Sequence, residues 1–153
     1  MAKTIYFLVV GKLSNKNIKA IIDDYIKRTS SFFNIIQNEI KELGFTGKLE
    51  IEKEGEKINK NIEEDSFIIV CDEYGQKIDS QRFFTILDEI FVSYKSLTII
   101  IGGSYGLSDD IKKKANLLLS LSNMTLTHQT ARLLLTEQIY RYCMYKQNHP
   151  FVK

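Results

Sequence analysis

Tryptophan is absent from the 153-residue chain, proline occurs once, and cysteine and histidine occur twice each. Cys71 and Cys143 form no C-x-x-C or Cys/His pattern, which argues against zinc, and two thiols are too few for a disulfide scaffold. No stretch approaches the roughly 18 apolar residues of a membrane span, and the N-terminal residues do not resemble a signal peptide. We therefore expect a cytoplasmic protein without a metal site and without a membrane-spanning segment.

The chain also lacks a large excess of charge of one sign, because it contains 21 Lys and Arg residues and 19 Asp and Glu residues. The distribution is uneven, however, with net charges of +4 over residues 1–30, −4 over 31–66, −4 over 67–110 and +6 over 111–153. If the two basic ends share one face, that face attracts phosphates. A solvated surface with scattered lysines gives the same counts, so charge alone leaves both interpretations open.

Apolar runs alternate with segments of helical period. The predicted strands are residues 3–10, 32–40, 67–71, 97–101 and 117–122. The predicted helices are residues 18–26, 48–65, 80–94, 109–118, and a last one from a cap at Thr127 or Thr130 to about residue 147. The Glu- and Lys-rich second helix is expected to be exposed and frayed around Gly55. The pattern predicts an α/β fold, a single domain over residues 1–153 with a mostly parallel sheet flanked by helices.

A glycine-rich turn, GGSYG, directly follows the predicted strand 97–101. Open α/β sheets bind ligands at the carboxyl ends of their strands, and glycine lets a ligand approach the main chain. A tight strand-to-helix turn explains the same residues. The turn is not a dinucleotide fingerprint, because its spacing differs and no carboxylate follows about 20 residues later. Residues 11–14 (GKLS) lack the upstream glycine of a P-loop, so neither ATP nor NAD is favoured.

The segment LSLSNMTLTHQTAR (119–132) alternates apolar residues with small hydroxyl and amide side chains. Such a segment offers hydrogen bonds beside apolar walls, as an adenine and a thioether-like chain require. An edge strand followed by a helix cap is the alternative interpretation.

Three segments together, IIIGGSYGLS (99–108), LSLSNMTLTHQTAR (119–132) and EQIYRYCMYKQNHP (137–150), closely resemble the RlmH family of the SPOUT methyltransferases. The early VVGKL matches as well, so the resemblance covers nearly the whole chain in order and length. It implies a SPOUT-type fold with a C-terminal trefoil knot, a homodimer, and the cofactor S-adenosylmethionine. It also implies the reaction, methylation of N3 of a pseudouridine in helix 69 of 23S rRNA in the ribosome.

The resemblance further implies which residues contact S-adenosylmethionine. They lie on three loops of the fold: Cys71 at the end of the third strand, Gly103 in the glycine turn, and the stretch of Leu121, Ser122, Asn123, Met124, Thr125 and Leu126. Cys71 replaces an aliphatic residue that is usual in the family, and its similar volume keeps an apolar wall.

A pseudouridine N3 carries a proton that must leave during methylation. His128 and His149 are the side chains with a suitable pKa, and Arg132 is expected to steady negative charge on the base or to hold a phosphate. A helix-cap or surface role is the alternative for each histidine. Family members commonly end in Pro-Tyr-His and a basic residue, whereas this chain ends in Pro150, Phe151, Val152 and Lys153.

The altered end motivates a second hypothesis, a SPOUT-like protein that binds rRNA or S-adenosylmethionine with weakened catalysis. A third, an unrelated nucleotide-binding switch protein, is disfavoured by the failed nucleotide motifs. Methylation of ribosomes that lack this modification separates the first two hypotheses.

Overall fold

The computed structural model describes residues 3–148, and strands alternate with helices throughout this range. The elements are β1 (Lys3–Val10), α1 (Lys16–Arg28), β2 (Phe33–Ile40), α2 (Gly47–Lys60), β3 (Ser66–Lys77), α3 (Ser80–Ser93), β4 (Ser96–Ile101), α4 (Asp109–Lys113), β5 (Leu117–Ser120) and α5 (His128–Lys146). Within this range no helix combines the length and apolarity that crossing a bilayer requires.

The five strands form one sheet in the order β2-β1-β4-β3-β5, and every neighbouring pair is parallel. The predicted α/β class with a parallel sheet flanked by helices is therefore confirmed. Because all strands point the same way, their carboxyl ends meet at one edge. The trefoil knot and the extent of the domain over residues 1–153 stay predictions.

Side chains of the strands alternate between two apolar cores, one on each face of the sheet. In β1, Ile5, Phe7 and Val9 pack with α3 and α5 in one core. Leu8 and Val10 point to the other face and pack with Ile58 of α2 and Ile111 of α4. This period of two explains why a strand buried on both faces reads as an uninterrupted apolar run.

Polar side chains cap the helices at their first turns. Ser108 accepts a hydrogen bond from the N–H of Ile111 at the start of α4. For α5 the structure decides between the two candidate caps, because the Thr127 side chain accepts from the N–H of Thr130 at 3.2 Å. These bonds satisfy N–H groups that the first helical turn leaves free.

The expectation that α2 frays at Gly55 was wrong, because the helix runs unbroken through this residue, and the expected exposure holds for only part of the helix. Glu50, Glu54, Gly55 and Ile58 of this helix are buried. A Cβ atom on Gly55 would lie 2.8 Å from the Ser108 hydroxyl, so glycine is what lets α2 pack closely against the start of α4. Tertiary packing here overrides the low helix propensity of glycine.

Three element boundaries also differ from the predictions. β3 continues to Lys77 rather than ending at Cys71, because it pairs with β5 again after a register shift between Cys71 and Gln76. α4 ends at Lys113, since the following residues turn into β5 at Leu117. β5 itself ends at Ser120, two residues earlier than expected.

Candidate cofactor site at the strand ends

A cavity of about 780 Å³ lies at the carboxyl ends of β4, β3 and β5. Three segments form its walls: residues 71–74 in the irregular part of β3, the glycine turn 102–107, and the segment 119–129 that leads into α5. Its size is within the usual range of small-molecule sites, about 300–1,000 Å³. The sheet topology thus brings together three segments that are far apart in the sequence.

The glycine turn is held in shape by its own backbone. The N–H of Gly106 donates to the carbonyl of Gly103 at 3.1 Å, and Gly106 has a φ of +86°, which favours glycine. A Cβ atom on Gly103 would lie 3.0 Å from Cγ1 of Val10 and 3.3 Å from Oε1 of Glu54. The turn therefore packs so closely against β1 and α2 that a side chain at position 103 would require Val10 or Glu54 to move.

Hydroxyl groups order the segment after β5. Ser120 donates through its hydroxyl to the carbonyl of Ser122 at 3.1 Å. The N–H of Met124 donates to the hydroxyl of Ser122 at 2.9 Å. The alternation of small hydroxyl and apolar residues seen in the sequence is thus a loop fixed by local bonds, with Leu121 and Leu126 half-buried against the cavity.

Cys71 contributes an apolar part of the wall, next to the buried Ile101 and Leu119. Burial raises the pKa of the Cys71 thiol to about 12, so the group stays protonated at neutral pH. The side chain therefore behaves as a small apolar residue, in agreement with the expectation that its volume preserves the wall.

His128 is the first residue of α5 and stands at the edge of the cavity. Its Nδ1 atom is buried and has no hydrogen-bond partner within residues 3–148. Burial, and next the charge of Arg132, lower the pKa of the imidazole below its usual value. The ring is consequently neutral at pH 7 and able to accept a proton.

Arg132 lies one helical turn further along α5 and is only 1% exposed. It donates through Nη1 to Oε2 of Glu39 at 2.6 Å and through Nη2 to Oε1 of Gln37. Burial by itself raises the pKa of Glu39. The hydrogen bonds from Arg132 and from the N–H of Leu13, together with the charge of Arg132, lower it by more, so the net shift is downward. Since Arg132 is buried and engaged by β2, it does not line the cavity and offers no surface to an RNA phosphate in this arrangement.

The structure brings most of the sequence-predicted site residues together. The residues that line the cavity are Cys71, Gly103, Leu121, Ser122, Met124, Thr125, Leu126 and His128. Asn123 belongs to the same loop but is exposed and does not line the cavity. Arg132 is nearby but buried, and His149 lies outside the described residues.

Sequence reasoning missed several residues at this site. Asp72 follows Cys71 along the cavity wall, and Nζ of Lys112 on α4 lies 3.7 Å from its Oδ1. Asp72 was detectable, because acids after a buried parallel strand fall at the ligand edge of the sheet. Glu54, whose carboxyl group lies behind Gly103, carried no such signal, since it belongs to a Glu-rich helix that reads as exposed.

Comparisons with known proteins agree with this geometry. A family model described as "Predicted SPOUT methyltransferase" matches residues 3–151. The "Ribosomal RNA large subunit methyltransferase H" of Dictyoglomus thermophilum is 42% identical over 149 residues, 96% of this chain and 97% of that protein. The protein of the same name from Streptococcus gordonii is 38% identical over 157 residues, 97% of this chain and 99% of its own length.

A solved structure shows a similar fold. It is described as a probable methylase family protein from Haemophilus influenzae and has a TM-score of 0.54 at 14% identity, covering 97% of this chain and 70% of that one. At this level of identity the similarity concerns the fold alone. It accords with the observed parallel sheet.

S-adenosylmethionine is the cofactor of this family, and the cavity fits such a group. Gly103 borders the cavity without a side chain, Cys71 and Leu121 give apolar surface, and Ser122 supplies a hydroxyl. With the family model matching nearly the whole chain and full-length relatives at about 40% identity, the chain belongs to the SPOUT methyltransferase family and, within it, to the RlmH group.

Proposed function

We propose that the protein methylates 23S ribosomal RNA at N3 of a pseudouridine in helix 69, using S-adenosylmethionine, as a homodimer in the cytoplasm. The single observation that carries the proposal is the cavity in which the glycine turn, Cys71 and the loop after β5 converge beside a neutral His128. The names of the full-length relatives support a ribosomal RNA substrate, and the resemblance supports the particular base.

The residues of this chain have distinct tasks in the proposed reaction. The backbone at Gly103 and the segment 121–126 hold the cofactor, and the apolar wall at Cys71 excludes water from the reacting atoms. The bound cofactor supplies an electrophilic methyl group on a sulfonium. Orientation of the base nitrogen in line with that group contributes much of the rate enhancement.

His128 is the proposed acceptor of the N3 proton. Its lowered pKa keeps the imidazole neutral at pH 7, which is the form that can accept a proton. Arg132 is proposed to act indirectly, as a positioning residue. It fixes Glu39 and Gln37 under the first turn of α5, and its charge helps to hold the pKa of His128 low.

The homodimer is proposed to form through α5, although several apolar residues of this helix are already buried within the single chain. Ile139 and Cys143 are fully buried inside the single chain, and the ring of Tyr140 packs against that of Tyr25 on α1 at 5.0 Å. Leu133 and Leu134 remain half-buried and give α5 an apolar surface for a partner.

A transfer assay with isotope-labelled S-adenosylmethionine and ribosomes lacking the modification tests the proposal. We expect His128→Gln to lower the rate constant of transfer by about 10²-fold, the usual lower bound for loss of a general base. Affinity for S-adenosylmethionine, measured by calorimetry, should stay within about twofold, because glutamine keeps a polar side chain at the cavity edge. A full rate in the variant would remove His128 from the mechanism.

The alternative, a protein that binds rRNA or S-adenosylmethionine with weakened catalysis, is favoured by one feature of the sequence. Phe151 and Val152 replace the Tyr-His pair that is common in the family, and both lie outside the described residues. Cofactor binding without transfer to ribosomes in the same assay would establish this alternative.

A further inference from the structure

A second cavity, of about 550 Å³, opens at the carboxyl ends of β1 and β2. Gly11, Lys12 and Ser14 after β1 form one side, and the other side follows the end of β2 from Glu39 to Glu42. This is the same edge of the sheet that carries the cofactor site, and β1 is the direct neighbour of β4. The sequence singled out the GKLS segment only to reject it as a P-loop.

His128 lines both cavities, so the imidazole forms a wall that they share. Transfer of a group between two molecules requires the reacting atoms to approach to about 3–3.5 Å, which places the acceptor next to the donor. The second cavity adjoins the proposed cofactor site, because the same side chain borders both.

We propose that the second cavity receives the nucleotide that is methylated, a pyrimidine nucleotide in a single-stranded loop of RNA, with Lys12 and Lys41 flanking its phosphates. This inference rests on the proposed function and names where the acceptor binds. In the reaction, the base nitrogen forms the N–CH3 bond and the S–CH3 bond breaks with its electron pair left on sulfur. The nitrogen's proton passes to His128.

The backbone at Gly11 is shaped around the shared histidine. Gly11 has a φ of +100°, and a Cβ atom there would lie 2.9 Å from Cε1 and 3.0 Å from Nε2 of His128. Glycine at this position therefore allows the imidazole to lie against the main chain between the cavities. The buried, unpartnered Nδ1 of His128 gives this wall a polar atom that the protein itself does not satisfy.

The charges around the second cavity suit a phosphate. Lys12 and Lys41 are exposed, and neither forms an ion pair within residues 3–148. The Glu39 carboxylate is neutralised by Arg132 at 2.6 Å and accepts the N–H of Leu13 at 3.1 Å, so it repels an anion little. Glu42 adds a carboxylate that can accept a hydrogen bond from a base N–H group.

The test measures binding of unmethylated ribosomes to the full-length protein as a function of salt, for Lys12→Ser, Lys41→Ser and the control Lys95→Ser. Lys95 is an exposed lysine that directly precedes β4, at the opposite edge of the sheet. Loss of one phosphate contact should reduce the slope of log K against log salt by about 1 in each cavity variant. The control should keep the wild-type slope.

The same variants are assayed for S-adenosylmethionine affinity and for methyl transfer. We expect unchanged cofactor affinity and a KM for ribosomes that rises several-fold with kcat retained. Wild-type slopes and KM values in both cavity variants, with methyl transfer intact, would overturn the inference while leaving the proposed function in place. If ribosome binding depends on the lysines but the wild-type protein transfers no methyl group, the proposed function fails and the nucleotide site stands.

Discussion

The carboxyl group of Glu54 offers a stability prediction, because it is buried where an ionised acid is unfavourable. Glu54 is 3% exposed, and burial is the main cause that raises its pKa to about 8. The acids Glu50 and Glu42, which face it, act in the same direction. Glu50 accepts hydrogen bonds from the N–H groups of Leu43 and Phe45, and a hydrogen bond from Glu54 is the largest cause that lowers its pKa. At neutral pH the pair therefore holds one proton, on Glu54.

The magnitude follows from linkage between folding and protonation. Glu54 titrates near 8 in the folded protein and near 4.5 when unfolded, so folding takes up a proton between these values. The stabilising contribution of Glu54 is complete below the unfolded-state pKa. As pH rises from there towards the folded-state pKa, the unfolding free energy falls by about 1.4 kcal/mol per pH unit, and the contribution is lost once pH passes the folded-state pKa. His128, whose pKa is lowered, has the opposite effect below about pH 6.5. Between pH 6.5 and 8 we expect a net loss of roughly 1.5 kcal/mol from Glu54.

Urea denaturation at pH 6.5 and pH 8.0, at one protein concentration, measures this loss as a difference in unfolding free energy. Glu54→Gln keeps the side-chain shape and supplies an N–H donor to Glu50, but it cannot titrate. The unfolding free energy of this variant should therefore change by less than about 0.5 kcal/mol between pH 6.5 and pH 8.0. Glu52→Gln removes an exposed acid from the same helix and should retain the wild-type loss. A wild-type protein equally stable at both pH values, or a Glu54→Gln variant with the full loss, would refute the reasoning.

Three further predictions concern the cofactor site, the assembly and the chain end. Gly103→Val should lower affinity for S-adenosylmethionine by calorimetry at least about tenfold, since its Cβ meets Val10 and Glu54; unchanged affinity would contradict the assignment of the turn. Light scattering at micromolar concentration should give a dimer, and a stable monomer would contradict the proposed α5 interface. Phe151→Tyr combined with Val152→His should raise the rate of methyl transfer at constant cofactor affinity, because it restores the hydroxyl and the imidazole that are common at this place in the family. No gain would show that the terminal pair is dispensable.

Local patterns predicted the sheet well, and they indicated the edge at which the glycine turn lies. β1 and β4 are buried on both faces, so their uninterrupted apolar runs were sufficient to identify them. The glycine turn was recognisable because its position after a buried strand places it at the ligand edge of a parallel sheet. In both cases the information lies within a few consecutive residues.

Features that depend on distant contacts were not predictable in the same way. The burial of Glu54 and Gly55 arises from packing against the turn near Gly103 and against Ser108, about 50 residues away. Arg132 looked available for RNA, but its partner Glu39 is on β2, and this pairing follows only from the folded position of α5. The second cavity likewise requires His128 to reach Gly11, a contact between the two ends of the chain.

Mass spectrometry of the helix 69 fragment of 23S rRNA tests the central claim most directly. Ribosomes lacking the modification are incubated with the protein and S-adenosylmethionine, and the fragment is isolated and digested. The proposed function predicts a gain of one methyl group on a pseudouridine, at N3, which disappears when the cofactor is omitted. An unmodified fragment after incubation with protein that binds both cofactor and ribosomes would contradict it.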